Sequence, residues 1–280
     1  MSDKKSDLFG DKVKALEALS AKEVLDENSP ICIRIDGKAF HTFTKGLARP
    51  YDKRLSQAMI NTMNFLVEKT DARLGYTQSD EISLVYFKMT NSQQTYFGSR
   101  VQKLISVLSS MATAKFNDEI RKGIPEKEDV FAYFDCRAWN VPTLQDAADV
   151  FVWRQDDAIK NAVSMAASAY YSHKQLQNKS SLEKKKMLEE KNISWEQYPD
   201  FFKSGTFAMK KHKEVELSEE MKQFESNADT DNCLRSYIHN FSLERLRKME
   251  NYKSVLFDPI FNEYKMVVDR KKKRKMKVGI

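Results

Sequence analysis

The chain has 280 residues, 41% hydrophobic and 31% charged, enough for a core in one large domain or two small ones. No apolar run approaches the roughly 18 residues of a membrane span, and the first residues lack the apolar stretch of a signal peptide, so a cytoplasmic protein with no membrane partner is expected. The net charge of +7 is matched by seven cations, Arg270, Lys271, Lys272, Lys273, Arg274, Lys275 and Lys277, so the basic excess is a C-terminal tail on a near-neutral body. Cys32, Cys136 and Cys233 stand far apart without a C-x-x-C and are expected as plain thiols rather than a zinc site.

In chain order, Leu8, Val13, Leu16, Leu19 and Val24 approach helical spacing, which predicts a helix over 1–30 closed by Asn28-Ser-Pro30. Ile31-Cys-Ile-Arg-Ile35 predicts a first strand, followed by Asp36-Gly37. Leu55, Met59, Met63 and Leu66 form the apolar stripe of a helix over 54–70. Arg73–Tyr76 and Ile82–Phe87 read as two strands joined by a tight turn through Ser79, Asp80 and Glu81. A helix from Ser99 to Phe116 and a strand Val130–Phe134 ending at Asp135 complete a strand-helix-strand-strand-helix-strand order. That is the βαββαβ, ferredoxin-like arrangement of an α+β palm.

The second half is expected to be mainly helical: Asp146 to Leu176, then Leu182–Lys191 opened by the capping box Ser180–Glu183, one strand entered at Lys203–Met209, and helix from Ser218 onward. With no repeat or flexible linker, the expected organisation is a catalytic core over 1–140 and a helical region with an added strand and basic tail over 141–280, packed as one body.

The predicted topology brings the end of the first strand and the hairpin turn to one edge of the sheet, so Asp36 and Asp80 should meet. Two carboxylates at strand ends suit Mg²⁺, which takes one or two carboxylates plus phosphate oxygens and water, and the Gly37 carbonyl could add a backbone ligand. Glu81 is expected to face away from Asp80 or to support the turn. Arg100 and Lys103 share a helix face suited to a triphosphate, and Ser79 offers a hydroxyl or N–H. By spacing alone, the same residues serve equally as turns and solvated faces.

Taken together, the motifs resemble the tRNA-histidine guanylyltransferase family, the 3′-to-5′ nucleotide-adding polymerases, over about residues 31–210. Ile33-Arg-Ile-Asp-Gly-Lys-Ala-Phe-His-Thr-Phe43 resembles the family's first metal motif, Gln78-Ser-Asp-Glu81 its second, and Trp153-Arg-Gln155 with Asn161 its helical signature. Phe134-Asp-Cys-Arg137 and Lys203-Ser-Gly-Thr206 are further matches. The resemblance implies a polymerase-like palm in which Asp36, the Gly37 carbonyl and Asp80 bind two Mg²⁺ ions and Glu81 is a neighbouring catalytic acid. It implies a nucleotide along Asp36, Gly37, Lys38, Ala39, Phe40 and His41 and against Ser79, with Ala48 and Asp52 near the base and Arg100 and Lys103 on the triphosphate. Arg137, Arg154, Asn161 and Lys203 would meet RNA. ATP, GTP or other nucleoside triphosphates would be substrates, the partner a tRNA with an incomplete 5′ end, and the assembly a homotetramer.

One departure bears on the reaction. Family members that add G to histidine tRNA carry His-Ile-Asn-Asn where this chain has Ala158-Ile-Lys-Asn161. The resemblance therefore implies templated repair of tRNA 5′ ends, with G addition at position −1 of histidine tRNA as the alternative. A nucleotide cyclase would use a similar palm, but Trp153-Arg-Gln155 and the lack of a G-G-D/E-E-F hairpin argue against it. A non-catalytic RNA binder acting through the basic tail is a third possibility.

Overall fold

The computed structural model describes residues 11–16, 23–90, 92–216 and 232–258. The basic tail therefore lies outside the described residues. Six strands form one antiparallel sheet: β1 (Ile31–Gly37), β2 (Leu74–Gln78), β3 (Glu81–Tyr86), β4 (Phe134–Asn140), β5 (Thr206–Glu216) and β6 (Asn232–Phe241), in the order β4-β1-β3-β2-β5-β6. The first four strands have the ferredoxin-like order, with β3 antiparallel between β1 and β2. The fold is α+β, as expected.

Alternation along β1 divides the sheet into two faces. Ile31, Ile33 and Ile35 pack under the helices α2 (Lys53–Thr70) and α3 (Val101–Gly123), in a core with Met59, Met63, Leu66, Leu104 and Phe116. The short α1 (Phe40–Phe43) adds Phe40 and Phe43 to it. On the opposite face, Cys32, Leu74, Tyr76 and Val85 pack with Phe151 of α4 (Leu144–Ser168) and Val255 and Leu256 of α8 (Tyr252–Phe257). A third cluster joins Ala162, Val163 and Ala166 of α4 to Leu188 of α6 (Ser181–Glu189), Trp195, and Phe202 of α7 (Asp200–Lys203). Asp52 caps α2, a capping box of Thr143 and Asp146 opens α4, and the expected Ser180–Glu183 box opens α6.

Several boundaries differ from expectation. The helix expected over 1–30 is helical at 11–16, whereas 23–30 carries only a bridge between Val24 and Arg100; its other residues lie outside the described ones. The fourth strand begins at Phe134 instead of ending there. Its expected residues run as a loop because the Asn117 amide satisfies both backbone groups of Ala132, at 2.9 Å each, in place of a neighbouring strand. The helix expected to reach Leu176 stops at Ser168, and Ser172 caps the separate α5 (His173–Leu176). Residues 232–241, expected as helix, form β6, so the second half contributes two strands. The β5–β6 ribbon is polar on much of both faces, which hides its period-two signal.

Candidate active site

Asp36 and Asp80 come together because β1 and β3 are hydrogen-bonded neighbours. Asp36 stands opposite Glu81 in the β1–β3 register, and the Gly37 N–H donates to the Asp80 carbonyl at 3.0 Å. Ser79 takes the left-handed conformation (φ 56°) that closes the turn between β2 and β3 in two residues. Gly37 is required by space: a Cβ there would lie 2.2 Å from the Phe40 ring.

Residues directly opposite on antiparallel strands share a face, so Asp36, Glu81 and Asp135 form a row on the α4 side. Arg34 donates to Asp36 at 3.1 Å and its Nε lies 3.7 Å from Glu81. Arg154, almost fully buried on α4, donates to Glu81 at 2.5 Å and stacks 3.7 Å over the exposed Trp153 ring. Glu81 therefore anchors two guanidiniums. The Nε atoms of Arg34 and Arg154 are buried without a hydrogen-bond acceptor, leaving donor capacity beside the acids. Burial raises the Asp80 carboxyl above its ordinary range, and the Asp36 charge pushes in the same direction. Burial also raises Glu81, outweighing the pull of Arg154 and Arg34.

Two clefts meet at this turn. One, of 630 Å³, is lined by Gly37, Ala39, Phe40, His41, Ala48, Asp52, Ser79 and Asp80, all expected at a nucleotide, and is walled by Tyr51, Phe201 and Phe202. The other, of 490 Å³, is lined by Asp36, Asp80, Glu81, Arg154, Ala158 and Asn161. Gln78, Ser79, Asp80, Met165 and Ser168 line both. Gln78 and Asp157 were not singled out by the sequence; Gln78 belongs to the motif that flagged Asp80, and its amide donates to the Phe202 carbonyl at 3.3 Å.

The donor set fits Mg²⁺. Two nearby carboxylates, one held in a buried setting beside the other's charge, are relieved by a divalent cation. The described residues hold no cluster of three or more His, Cys, Asp or Glu that would form a protein-only cage. Mg²⁺ takes one or two carboxylates and completes its shell with phosphate oxygens and water.

A family model described as tRNAHis guanylyltransferase matches residues 10–142. The Saccharomyces cerevisiae tRNA(His) guanylyltransferase is 31% identical over 199 residues, covering 65% of this chain and 82% of that protein. The chain belongs to the tRNA(His) guanylyltransferase family. It is a nucleotidyltransferase acting on tRNA, of the class that comprises tRNA guanylyltransferases and 3′-5′ polymerases. Among solved structures, a bacterial tRNA(His) guanylyltransferase-like protein in complex with ATP is 40% identical with a TM-score of 0.67, covering 72% of this chain and 87% of that one. A second, in complex with GTP, is 36% identical with a TM-score of 0.61, covering 72% and 86%.

Against this family pattern, some expected residues stand apart. Arg100 bridges to Val24 at the sheet end where Ile31 pairs with Tyr86 and Asn140, roughly 17 Å along the strands from Asp36. Neither Arg100 nor Lys103 lines either cleft of this tRNA(His) guanylyltransferase family chain, because α3 starts at the far end of the sheet. The Lys38 N–H donates to the Tyr133 carbonyl, and Lys38 lines neither cleft. Arg137, exposed beside Arg34, faces Asp135 at 3.8 Å. Lys203 pairs with Asp200 and Glu196 and lines neither cleft. No helix among the described residues is long and apolar enough to cross a membrane.

Proposed function

We propose that this protein rebuilds incomplete tRNA 5′ ends in the 3′-to-5′ direction, choosing each nucleotide by the opposing tRNA strand after a nucleoside triphosphate has activated the 5′-monophosphate. The observation that carries the reading is the pair of clefts sharing the Asp80 turn. The first, apolar on one wall and polar at Ser79 and Asp80, suits a nucleoside triphosphate. The second, with Arg154 and Asn161, suits the RNA end. Ala158 supports templating: it lines the second cleft where the histidine of His-Ile-Asn-Asn would stand, so no imidazole is presented there to read one nucleotide.

Asp36, the Gly37 carbonyl and Asp80 are the groups we assign to two Mg²⁺ ions, which when bound offset charge on the attacking and leaving oxygens of nucleotidyl transfer. Through the ions they would hold, Asp36 and Asp80 would place the triphosphate at the junction of the clefts. Ser79 donates to its oxygens, and Arg154 supplies positive charge on the RNA side. Glu81 holds that guanidinium in place. The resemblance supports a homotetramer, which light scattering of the purified protein tests.

G addition at position −1 is the second reading, favoured by the name of the yeast relative. The deciding experiment gives the protein Mg²⁺, all four triphosphates and 5′-monophosphorylated tRNAs lacking the first nucleotide, with the opposing base varied. Incorporation that follows the opposing base supports templated repair. Addition of G to histidine tRNA whatever stands opposite supports the second reading and sinks the first.

A further inference from the structure

The first cleft contains a carboxylate whose hydrogen-bonding capacity is already used. Asp52 is 5% exposed yet lines the cleft. Its Oδ1 accepts from the Arg54 backbone N–H at 2.9 Å and from Arg54 Nε at 3.1 Å. Its Oδ2 accepts from Arg54 Nη2 at 2.8 Å and the Ala48 N–H at 3.4 Å. Those contacts fill the roughly four acceptor sites of a carboxylate. A helix cap alone would need only the first of them.

Arg54 is itself held from behind. Its Nη1 donates to Glu126 Oε2 at 3.2 Å and its Nη2 to Glu126 Oε1 at 2.5 Å, so one guanidinium is bidentate to two acids. The Arg54 contacts hold Asp52 down to about 2, so the carboxylate is ionised and pinned throughout the neutral range. Releasing Asp52 means breaking a planar fork that Glu126 keeps in register.

The consequence concerns the purine. Guanine presents two adjacent donors, N1–H and N2–H, on its pairing edge, whereas adenine presents an acceptor and a donor. A free carboxylate in the cleft would take both guanine hydrogens and reject adenine, as sites with unpaired polar groups do. We infer that Arg54, braced by Glu126, sequesters Asp52 and makes the nucleotide site indifferent to guanine or adenine, so that Arg54 determines specificity without touching the base. The inference rests on reading this cleft as the nucleoside triphosphate site. It places base choice with the RNA strand opposite the gap.

The test is equilibrium binding of non-hydrolysable GTP and ATP analogues to the full-length protein with Mg²⁺, by calorimetry. The wild type binds both within about threefold, and Arg54→Ala shifts the ratio toward GTP by roughly tenfold as the carboxylate is released. Adding Asp52→Asn to that variant returns the ratio to the wild-type value. Arg54→Lys, which keeps the charge but loses the fork, shifts the ratio the same way and serves if Arg54→Ala does not fold. A wild-type preference for GTP above about tenfold, or folded Arg54 variants with an unchanged ratio, overturns the inference while leaving the nucleotide site standing. Failure of either analogue to bind the wild type removes the nucleotide site and the inference with it.

Discussion

Replacing Asp80 with Asn should stabilise the protein in the absence of ligands. Asp80 sits in a turn where burial and the Asp36 charge both oppose its ionisation. Like charges about 6 Å apart repel by about 0.7 kcal/mol in water and about 3 kcal/mol at an effective dielectric of 20, so a gain of about 1 kcal/mol is expected. That is about 2 to 4 °C in Tm for a chain of this size. The sign follows from linkage. A native carboxyl raised above 3.8 holds its proton more tightly than the unfolded chain does, so the wild type loses stability relative to Asp80→Asn as pH rises through the carboxylate range. The two should converge in acid, where both states are protonated. Urea unfolding across that range measures it. With Mg²⁺ and a triphosphate the order should reverse, since ligand at about 100 times Kd adds about 2.7 kcal/mol to the wild type alone. An Asp80→Asn protein less stable than wild type by about 1 kcal/mol without ligand would refute the argument, because the carboxylate would then be an anchor of the fold.

Arg154→Ala leaves Glu81 in a buried position without its closest cation and should cost about 3 kcal/mol in urea unfolding, whereas Glu81→Gln should cost less because burial already penalises that charge. Gln155 is fully buried, donates to the carbonyls of Leu243 and Glu244 and accepts from the Leu246 N–H at 2.7 Å. Gln155→Ala should therefore cost about 2 to 4 kcal/mol and speed hydrogen exchange at Leu246. Burial pushes the thiols of Cys32 and Cys136 up to about 12, so both should resist iodoacetamide at about pH 8 until the protein is unfolded, as peptide mass spectrometry would show.

Much of the palm was legible because its signals are short-range. The alternation of Ile31, Ile33 and Ile35, the Leu55, Met59, Met63 and Leu66 stripe, and the tight turn at Ser79 each specify a local geometry, and the strand order follows from their sequence. The meeting of Asp36 with Asp80 follows from that order. What was illegible depends on contacts across the fold. Asn117 occupies the backbone that would have made Val130–Phe134 a strand, and nothing near residue 130 announces it. The separation of Arg100 and Lys103 from the acids depends on which end of the sheet α3 starts from. The Arg54 fork needs Glu126, 72 residues away. The ion pairs of Glu81 with Arg34 and with Arg154 of α4 are likewise made across the fold, by strand pairing and by the packing of α4 on the sheet.

The hydrogen bond from Gly37 to the Asp80 carbonyl means that the spacing of the two acids is set by the backbone ladder, about 4.8 Å per strand, and hardly by the side chains behind it. The active site is in that sense counted rather than packed. Substitutions in either core can accumulate, at a cost in stability, without moving one acid relative to the other. A single residue inserted or lost between Ile31 and Asp36 is different. It turns Asp36 into the apolar face and Ile35 out toward Arg154, so a chain that still pairs its strands would have no chemistry to perform. Tolerance of substitution and intolerance of insertion are the marks this architecture should leave on the gene that encodes it.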